Sequence, residues 1–390
     1  MGLEDQLSEE KFYANRGQTR VKHYILEKYL EGLAYKVLHG YGELTYVDGF
    51  SGPWESKDEN YGDTSFGLAI RTLKTVQAKA RYYGKRPTIR CVFVEKSRKA
   101  FSELKDFVDS YNSPETGFET LAINSEFVDA IPQALEHAKR SFLLTFIDPK
   151  GWTGYPYDKI RPLLGRPGSE VLINFMYDHV NRFRDMDDPK IIESLEPILG
   201  GKNWQDRLDS TAEDRSKALM ALARSVLKEE GDFRFVASTC VSKELSDRPH
   251  FYLLYGTRHP SGIQVFRDVE SKALLFQEFL RRTAKQRKEE EEAGMGFLFG
   301  PSEPAIDREI REFLSRQIAE AKESLLTNLS SNNFAQPFKD VWPPILEEYP
   351  LRYTNVRDVC VELCQEGKIE NTWAVNGRRK PEKDDLIKRC

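Results

Sequence analysis

Between Thr19 and Leu38 the apolar positions Val21, Tyr24, Ile25, Leu30, Leu33, Ala34, Val37 and Leu38 recur at helical spacing, which predicts an amphipathic helix. "HGYGE" ends it, and the apolar run "LTYVD" then breaks into Gly49-Phe50-Ser51-Gly52-Pro53, the pattern of a buried strand opening into a tight loop. Asp63-Thr64-Ser65 can cap a second helix with Phe66, Ala69, Ile70, Leu73, Val76 and Ala80 on its inner face. The alternation then repeats. "TIRCVFVE", "FETLAIN", "SFLLTFIDP" and "SEVLINFM" read as strands, with helices over "KSRKAFSELKDFVDSY" and "FVDAIPQALEHA". "FRFVASTCV" and "HFYLLYGTRH" add a pair joined by the polar "SKELSDRP".

Short apolar strands alternating with helices predict an α/β fold: a doubly wound, mostly parallel, Rossmann-like sheet closed at one edge by an antiparallel hairpin. From Val265 the pattern is helical and runs into the charged "RRTAKQRKEEEEAGMG", where the domain boundary is placed, giving domains 1–295 and 296–390. The second reads as a small C-terminal α+β module with helices near Ile306–Leu326, Val341–Leu346 and Asn355–Glu366, the last capped by Thr354. Two short strands around the Asn376-Gly377 turn complete the order of a winged helix.

Composition narrows the partners. With 58 basic and 62 acidic residues the 390-residue chain carries a net charge of −4, so nucleic-acid contact is expected to be local rather than spread over the surface. The start "MGLEDQLSEEKFY" lacks the regions of a signal peptide, no apolar run suits a membrane helix, and the five cysteines are odd in number and scattered. A reduced, cytoplasmic protein without membrane association is the expectation.

Ligands of such sheets bind at the carboxyl ends of the strands, where Asp48, Glu95, Asn124 and Asp148 fall. A carboxylate followed by glycines suits close approach to a nucleoside, although the same loop also forms as a plain strand-to-loop turn. Glu95 stands where a ribose-hydroxyl acceptor sits in nucleotide-binding folds, or caps the next helix; it follows Asp48 by 47 residues, so the intervening "WESKDENYGD" forms an insertion serving as lid or substrate loop. His179, His250 and His259 lack paired ligand spacing, so no metal site is expected. Cys360 and Cys364 read as core thiols.

Together "YVDGFSGP", "GDTSFGLAI", "CVFVEKS", "FIDPKGW" and "FYLLYGTRHPSGIQVFRDV" resemble the three-Cys-motif partner protein family, which is similar to class I S-adenosylmethionine-dependent methyltransferases. The resemblance covers residues 18 to 275. It implies S-adenosylmethionine as cofactor, with Asp48, Gly49, Phe50, Gly52 and Pro53 lining its methionine-ribose part, Glu95 accepting the ribose hydroxyls, and Asn124 and Ser125 reaching the adenine edge. Trp54 stands where related loops have a further glycine. Asp148-Pro149-Lys150-Gly151-Trp152 is similar to the Asp-Pro-Pro-Tyr motif of amino methyltransferases, which implies Asp148 as the catalytic hydrogen-bond acceptor and Trp152 as a stacking surface. The family also implies a partner protein with a radical-enzyme-like cysteine motif. In the tail, Arg378, Arg379 and Lys380 make a basic wing that suits phosphate or, equally, a solvated hairpin for protein docking. The expected function is methyl transfer to a nucleic-acid or nucleotide-derived acceptor. The alternatives are a catalytically inactive binding module serving a partner enzyme and, ranked lower, a nucleotide-acting hydrolase or nuclease.

Overall fold

The computed structural model describes residues 13, 16–52, 56–184, 188–208, 215–294, 303–331 and 335–390. They fall into two compact units that divide at Arg258/His259. This is earlier than the boundary expected near residue 295, because helix α9 (Pro260–Ala293) belongs with the second unit.

The first unit opens with helix α1 (Gly17–Gly40) and strand β1 (Glu43–Asp48). Helix α2 (Ser65–Tyr82), β2 (Thr88–Val94), α3 (Arg98–Ser110), β3 (Phe118–Ile123), α4 (Phe127–Ala138) and β4 (Phe142–Ile147) follow. Next come α5 (Tyr157–Leu164), β5 (Ser169–Phe175), α6 (Tyr177–Phe183), α7 (Pro189–Leu199), α8 (Arg215–Gly231), β6 (Phe235–Ser242) and β7 (Pro249–Thr257). The seven strands order as β3-β2-β1-β4-β5-β7-β6. β1 to β5 pair in parallel, while β7 runs against both β5 and β6, so the expected hairpin is present with its reversed strand inside the sheet and β6 at the edge.

Burial follows strand position. The central β1, β2, β4 and β5 are buried almost throughout, which is why they read as continuous apolar runs, whereas the edge strands β3 and β6 show partly exposed positions. On one face the Phe93 ring meets those of Tyr46 and of Phe66 of α2, and Phe66 meets Phe107 of α3. The other face places Val47, Val92, Ile147 and Ile173 in one core with α4, α5, α7 and α8. At the amino edge a buried carboxylate, Glu170, is satisfied by the hydroxyls of Tyr29 and Thr257.

Helix α2 is capped as expected, with the Thr64 hydroxyl accepting from the Gly67 N–H at 3.2 Å. The loop before it is tied down: the buried Asp63 carboxylate accepts from the Ser56 hydroxyl, the Lys57 N–H and the Arg16 guanidinium. Pro53, Trp54 and Glu55 lie outside the described residues.

In the second unit α9 is followed by α10 (Glu303–Ser331), β8 (Gln336–Pro337), α11 (Phe338–Glu348), α12 (Tyr353–Gln365) and β9 (Leu386–Ile387). Two expectations change here. The cap of α12 is made by Asn355, whose side-chain oxygen accepts the Arg352 N–H at 2.9 Å, rather than by Thr354. The Asn376-Gly377 segment forms a short 3-10 turn (Trp373–Asn376) closed by left-handed Gly377, with no flanking hairpin; β9 pairs instead with β8, and Ile369 bridges to Arg389. Trp373 in this turn is buried, where two short strands around Asn376-Gly377 were expected. The cysteines are free thiols; Cys360 is buried, and burial pushes its pKa up to about 12, while Cys364 on the same helix is half-buried.

Candidate functional site

The sheet order runs outward in both directions from the β1/β4 pair, so the carboxyl ends of these strands form a topological switch point, the place where such sheets leave a crevice. Each strand there ends in a polar residue held by its neighbours. After β1 the chain stays tied to both sides: the Gly49 N–H donates to the Phe146 carbonyl at 3.0 Å and the Ser51 N–H to the Val94 carbonyl at 2.8 Å. After β2, Glu95 is buried, and its Oε1 accepts the Ser97 N–H at 2.6 Å at the start of α3. Burial lifts the Glu95 pKa, opposed by that hydrogen bond and by the charges of Lys150 and Lys96. The cap of α3 is Ser97, whose hydroxyl accepts the Ala100 N–H, so Glu95 holds the cap residue in place and is a buried rather than a solvated acid.

A cavity of about 330 Å³ opens at these strand ends, within the range of small-molecule sites. Gly49, Phe50, Glu95, Ser125, Phe127 and Asp148 line it, with Lys96, Glu126 and Lys150 adding charge of both signs. The Phe50 and Phe127 rings, 5.5 Å apart, form an apolar wall. A Cβ on Gly49 would stand 2.8 Å from the Phe127 ring, so the glycine makes room for the aromatic wall.

Asp148 sits at the rim between two partners. Asn174, on β5, donates to its Oδ1 at 2.6 Å, and Lys22, in the second turn of α1, pairs with its Oδ2. The Lys22 ammonium also lies 5.9 Å from the Phe251 ring. Lys22 carried no signal in the sequence, because nothing local announces a partner 126 residues away.

Four expected site residues do not reach the cavity. Asp48 is fully buried, with Oδ2 accepting the Ser65 hydroxyl at 2.6 Å and Oδ1 the Phe50 N–H at 3.1 Å, so it shapes the loop from beneath. Asn124 spends its amide on the carbonyls of Glu95 and Lys96, at 2.7 and 3.2 Å, pinning the β2 loop where an adenine contact was expected. Trp152 donates its indole N–H to the Ser194 hydroxyl at 3.0 Å and packs 5.2 Å from Phe183, so its ring is a packing element between α6 and α7. Gly52 is buried and does not line the cavity; Pro53 lies outside the described residues. On α6, Asp178 pairs with Lys243 and Arg182. Among the described residues no cluster of three or more His, Cys, Asp or Glu side chains could hold a metal ion.

In the second unit the basic wing is largely neutralised from within. Arg378 makes a double hydrogen bond to Asp385, at 3.1 and 3.0 Å, and Lys380 pairs with Asp358; Arg379 is exposed and has no partner among the described residues. No helix among the described residues is long and apolar enough to cross a membrane.

No family model and no curated protein matches the chain. Among solved structures, the crystal structure of protein LPL1258 from Legionella pneumophila str. Philadelphia 1, of family DUF519, is similar at a TM-score of 0.36 and 12% identity, over 65% of this chain and 91% of that one.

Proposed function

We propose that the first unit binds S-adenosylmethionine in the cavity at the switch point and transfers its methyl group to a nucleic-acid or nucleotide-derived acceptor beside Asp148. The observation that carries this reading is a buried carboxylate, Glu95, facing the same cavity as Asp148 from the ends of β2 and β4. Glu95 would accept the two ribose hydroxyls through the lone pairs its backbone contacts leave open, and Phe50 and Phe127 would cover the apolar side of the nucleoside. When bound, the cofactor supplies an electrophilic methyl on a sulfonium. Asp148 would accept a hydrogen bond from the nucleophile's N–H or O–H, with Lys22 and Asn174 holding its carboxylate still; catalysis then rests on alignment.

The second unit supports a substrate-positioning role. The order β8, α11, α12, Ile369 bridge and β9 suits a winged-helix-like module, and Arg379 offers it, of the three basic residues singled out in the sequence, the exposed cation without a partner among the described residues. A partner protein of the three-Cys-motif, radical-enzyme-like type belongs to the same reading. One observation favours the binding-module alternative: both Asp148 oxygens already have partners.

Calorimetric titration with S-adenosylmethionine and S-adenosylhomocysteine decides between them. Micromolar binding is expected, and Glu95→Ala should weaken it by about ten- to a hundredfold, the worth of hydrogen bonds to a charged group. No heat of binding from a folded protein would leave the binding-module reading standing.

A further inference from the structure

The opposite edge of the first unit carries a surface of different character. From Thr64 to Val94 the sequence has no acidic residue and seven basic ones, Arg71, Lys74, Lys79, Arg81, Lys85, Arg86 and Arg90, in a chain whose net charge is −4. The structure gathers the middle of this stretch at the carboxyl end of α2, beside the carboxyl end of α1, where both helices deliver the chain to the amino ends of β2 and β1. Four tyrosines stand out of the surface there. Tyr82 is 85% exposed, Tyr83 78%, Tyr41 66% and Tyr35 38%. Tyr82 and Tyr83 meet edge to face at 5.3 Å, Tyr41 is braced edge-on by Phe142 at 5.4 Å, and the Lys79 ammonium lies 5.7 Å from the Tyr35 ring.

The two helix ends are joined across this surface. Lys85 bonds to the His39 ring of α1, and the Thr88 N–H donates to the Gly42 carbonyl at 3.0 Å, which fixes the Tyr82–Arg86 turn beside Tyr41. Arg81 and Arg86 are exposed and have no ion-pair partner among the described residues, while Glu31 is the acid that acts on Lys79. Exposed rings need no explanation one at a time, but rings interleaved with unpaired cations have a specific complement. Base faces stack on aromatic rings irrespective of sequence, and guanidinium groups track the backbone phosphates.

We propose that this tyrosine and arginine surface binds single-stranded nucleic acid. A strand of six residues at about 3.3 Å each sets it about 20 Å from the cavity. It therefore acts as a second holding point for an extended strand, and it stands whether or not the cavity binds S-adenosylmethionine. The charge pattern selects a polyanion, and the rings select one with unstacked bases over a duplex or an acidic protein.

The test is fluorescence anisotropy of the full chain with labelled oligouridylate and oligothymidylate, each longer than the roughly 4–16 nucleotides that such platforms span. Tyr82→Ala with Tyr83→Ala should weaken binding by about ten- to a hundredfold. Arg81→Ala with Arg86→Ala should flatten the log–log salt dependence by about 1.4, since each phosphate contact on a single strand contributes about 0.7. All four side chains are exposed, and a thermal melt of each variant confirms the fold. Preference between the two oligonucleotides distinguishes RNA from DNA as the source of the strand. Unchanged affinity in both double variants, or no binding at low salt, overturns the proposal. So does equal, tyrosine-independent binding of polyglutamate or of phosphatidylserine vesicles, which would assign the surface to an acidic protein or to a membrane.

Discussion

Arg267→Met is expected to lower the stability of the second unit by about 3–5 kcal/mol, the cost of breaking a buried ion pair from one side. Arg267 on α9 is 1% exposed and Glu270, one turn on, 2%. The guanidinium donates to Glu270 at 2.6 Å and also to the carbonyls of Leu346 and Glu347, at 2.6 and 2.9 Å. Those carbonyls belong to the last turn of α11, where intrahelical donors have run out, so one side chain neutralises a buried acid and caps a helix end. Methionine fills similar volume without donors and removes all three of these hydrogen bonds, two of them buried. Changing Glu270 to methionine as well should recover part of the loss by removing the unpaired charge, but not the part owed to the α11 carbonyls. Hydrogen exchange of the full chain reads this directly: protection should fall first in α9 and the end of α11. A variant that melts with the native protein and keeps that protection would show that the cluster does not hold the unit together.

That cluster also shows where the sequence stopped being legible. Arg267 and Glu270 sit in a segment read only as helical, and no spacing rule links them to Leu346, far along the chain. What is set locally was readable. Helix α4 begins and ends where "FVDAIPQALEHA" does, and the strands appear where apolar runs end in Asp48, Glu95 and Asp148. Helices α5, α7 and α8 were not read; α5 and α7 carry Pro162 and Pro197 inside them, which argue against a helix locally and are outweighed by burial of residues such as Leu163 and Ile198. The site divides in the same way. Strand-end acids follow from periodicity, but which of them faces the cavity depends on sheet faces and loop paths: Asp48 turns toward Ser65, and Asp148 finds Lys22 only because β4 lies between β1 and β5. Of the partners that neutralise the basic wing, Asp385 lies in the same segment as Arg378, whereas Asp358 is recognisable only once α12 lies beside it.

Asp48→Asn is expected to flatten the pH dependence of stability between about pH 4 and pH 7. Asp48 is fully buried, and burial pushes its pKa up to about 6 against hydrogen bonds from Ser65 and Phe50 that pull it down, with nearby Asp148 adding to the rise. In the unfolded chain the carboxyl ionises near 4, so between these values the native state keeps a proton that the unfolded state has given up. Stability from this group is therefore fully present below about pH 4 and is lost as pH rises through 6, a swing of about 3 kcal/mol for a shift of some two pKa units. Asparagine cannot ionise and removes the swing. The remaining slope has contributions of both signs: burial also raises the pKa values of Glu95 and Glu170, while burial lowers those of His23, His137 and His250, and these, with Asp385, whose burial is outweighed by the Glu382 N–H and Arg378, act in the opposite sense. Calorimetric melts of both proteins from pH 4 to 8 check this, and parallel curves would mean that Asp48 is ionised without strain. The same variant separates the two acids of the site. Asp48 acts on the cavity only through the Phe50 N–H it accepts, whereas Glu95 lines the cavity itself. Asp48→Asn should therefore weaken S-adenosylmethionine binding less than Glu95→Ala does, although the sequence alone pointed to Asp48 as a direct ligand.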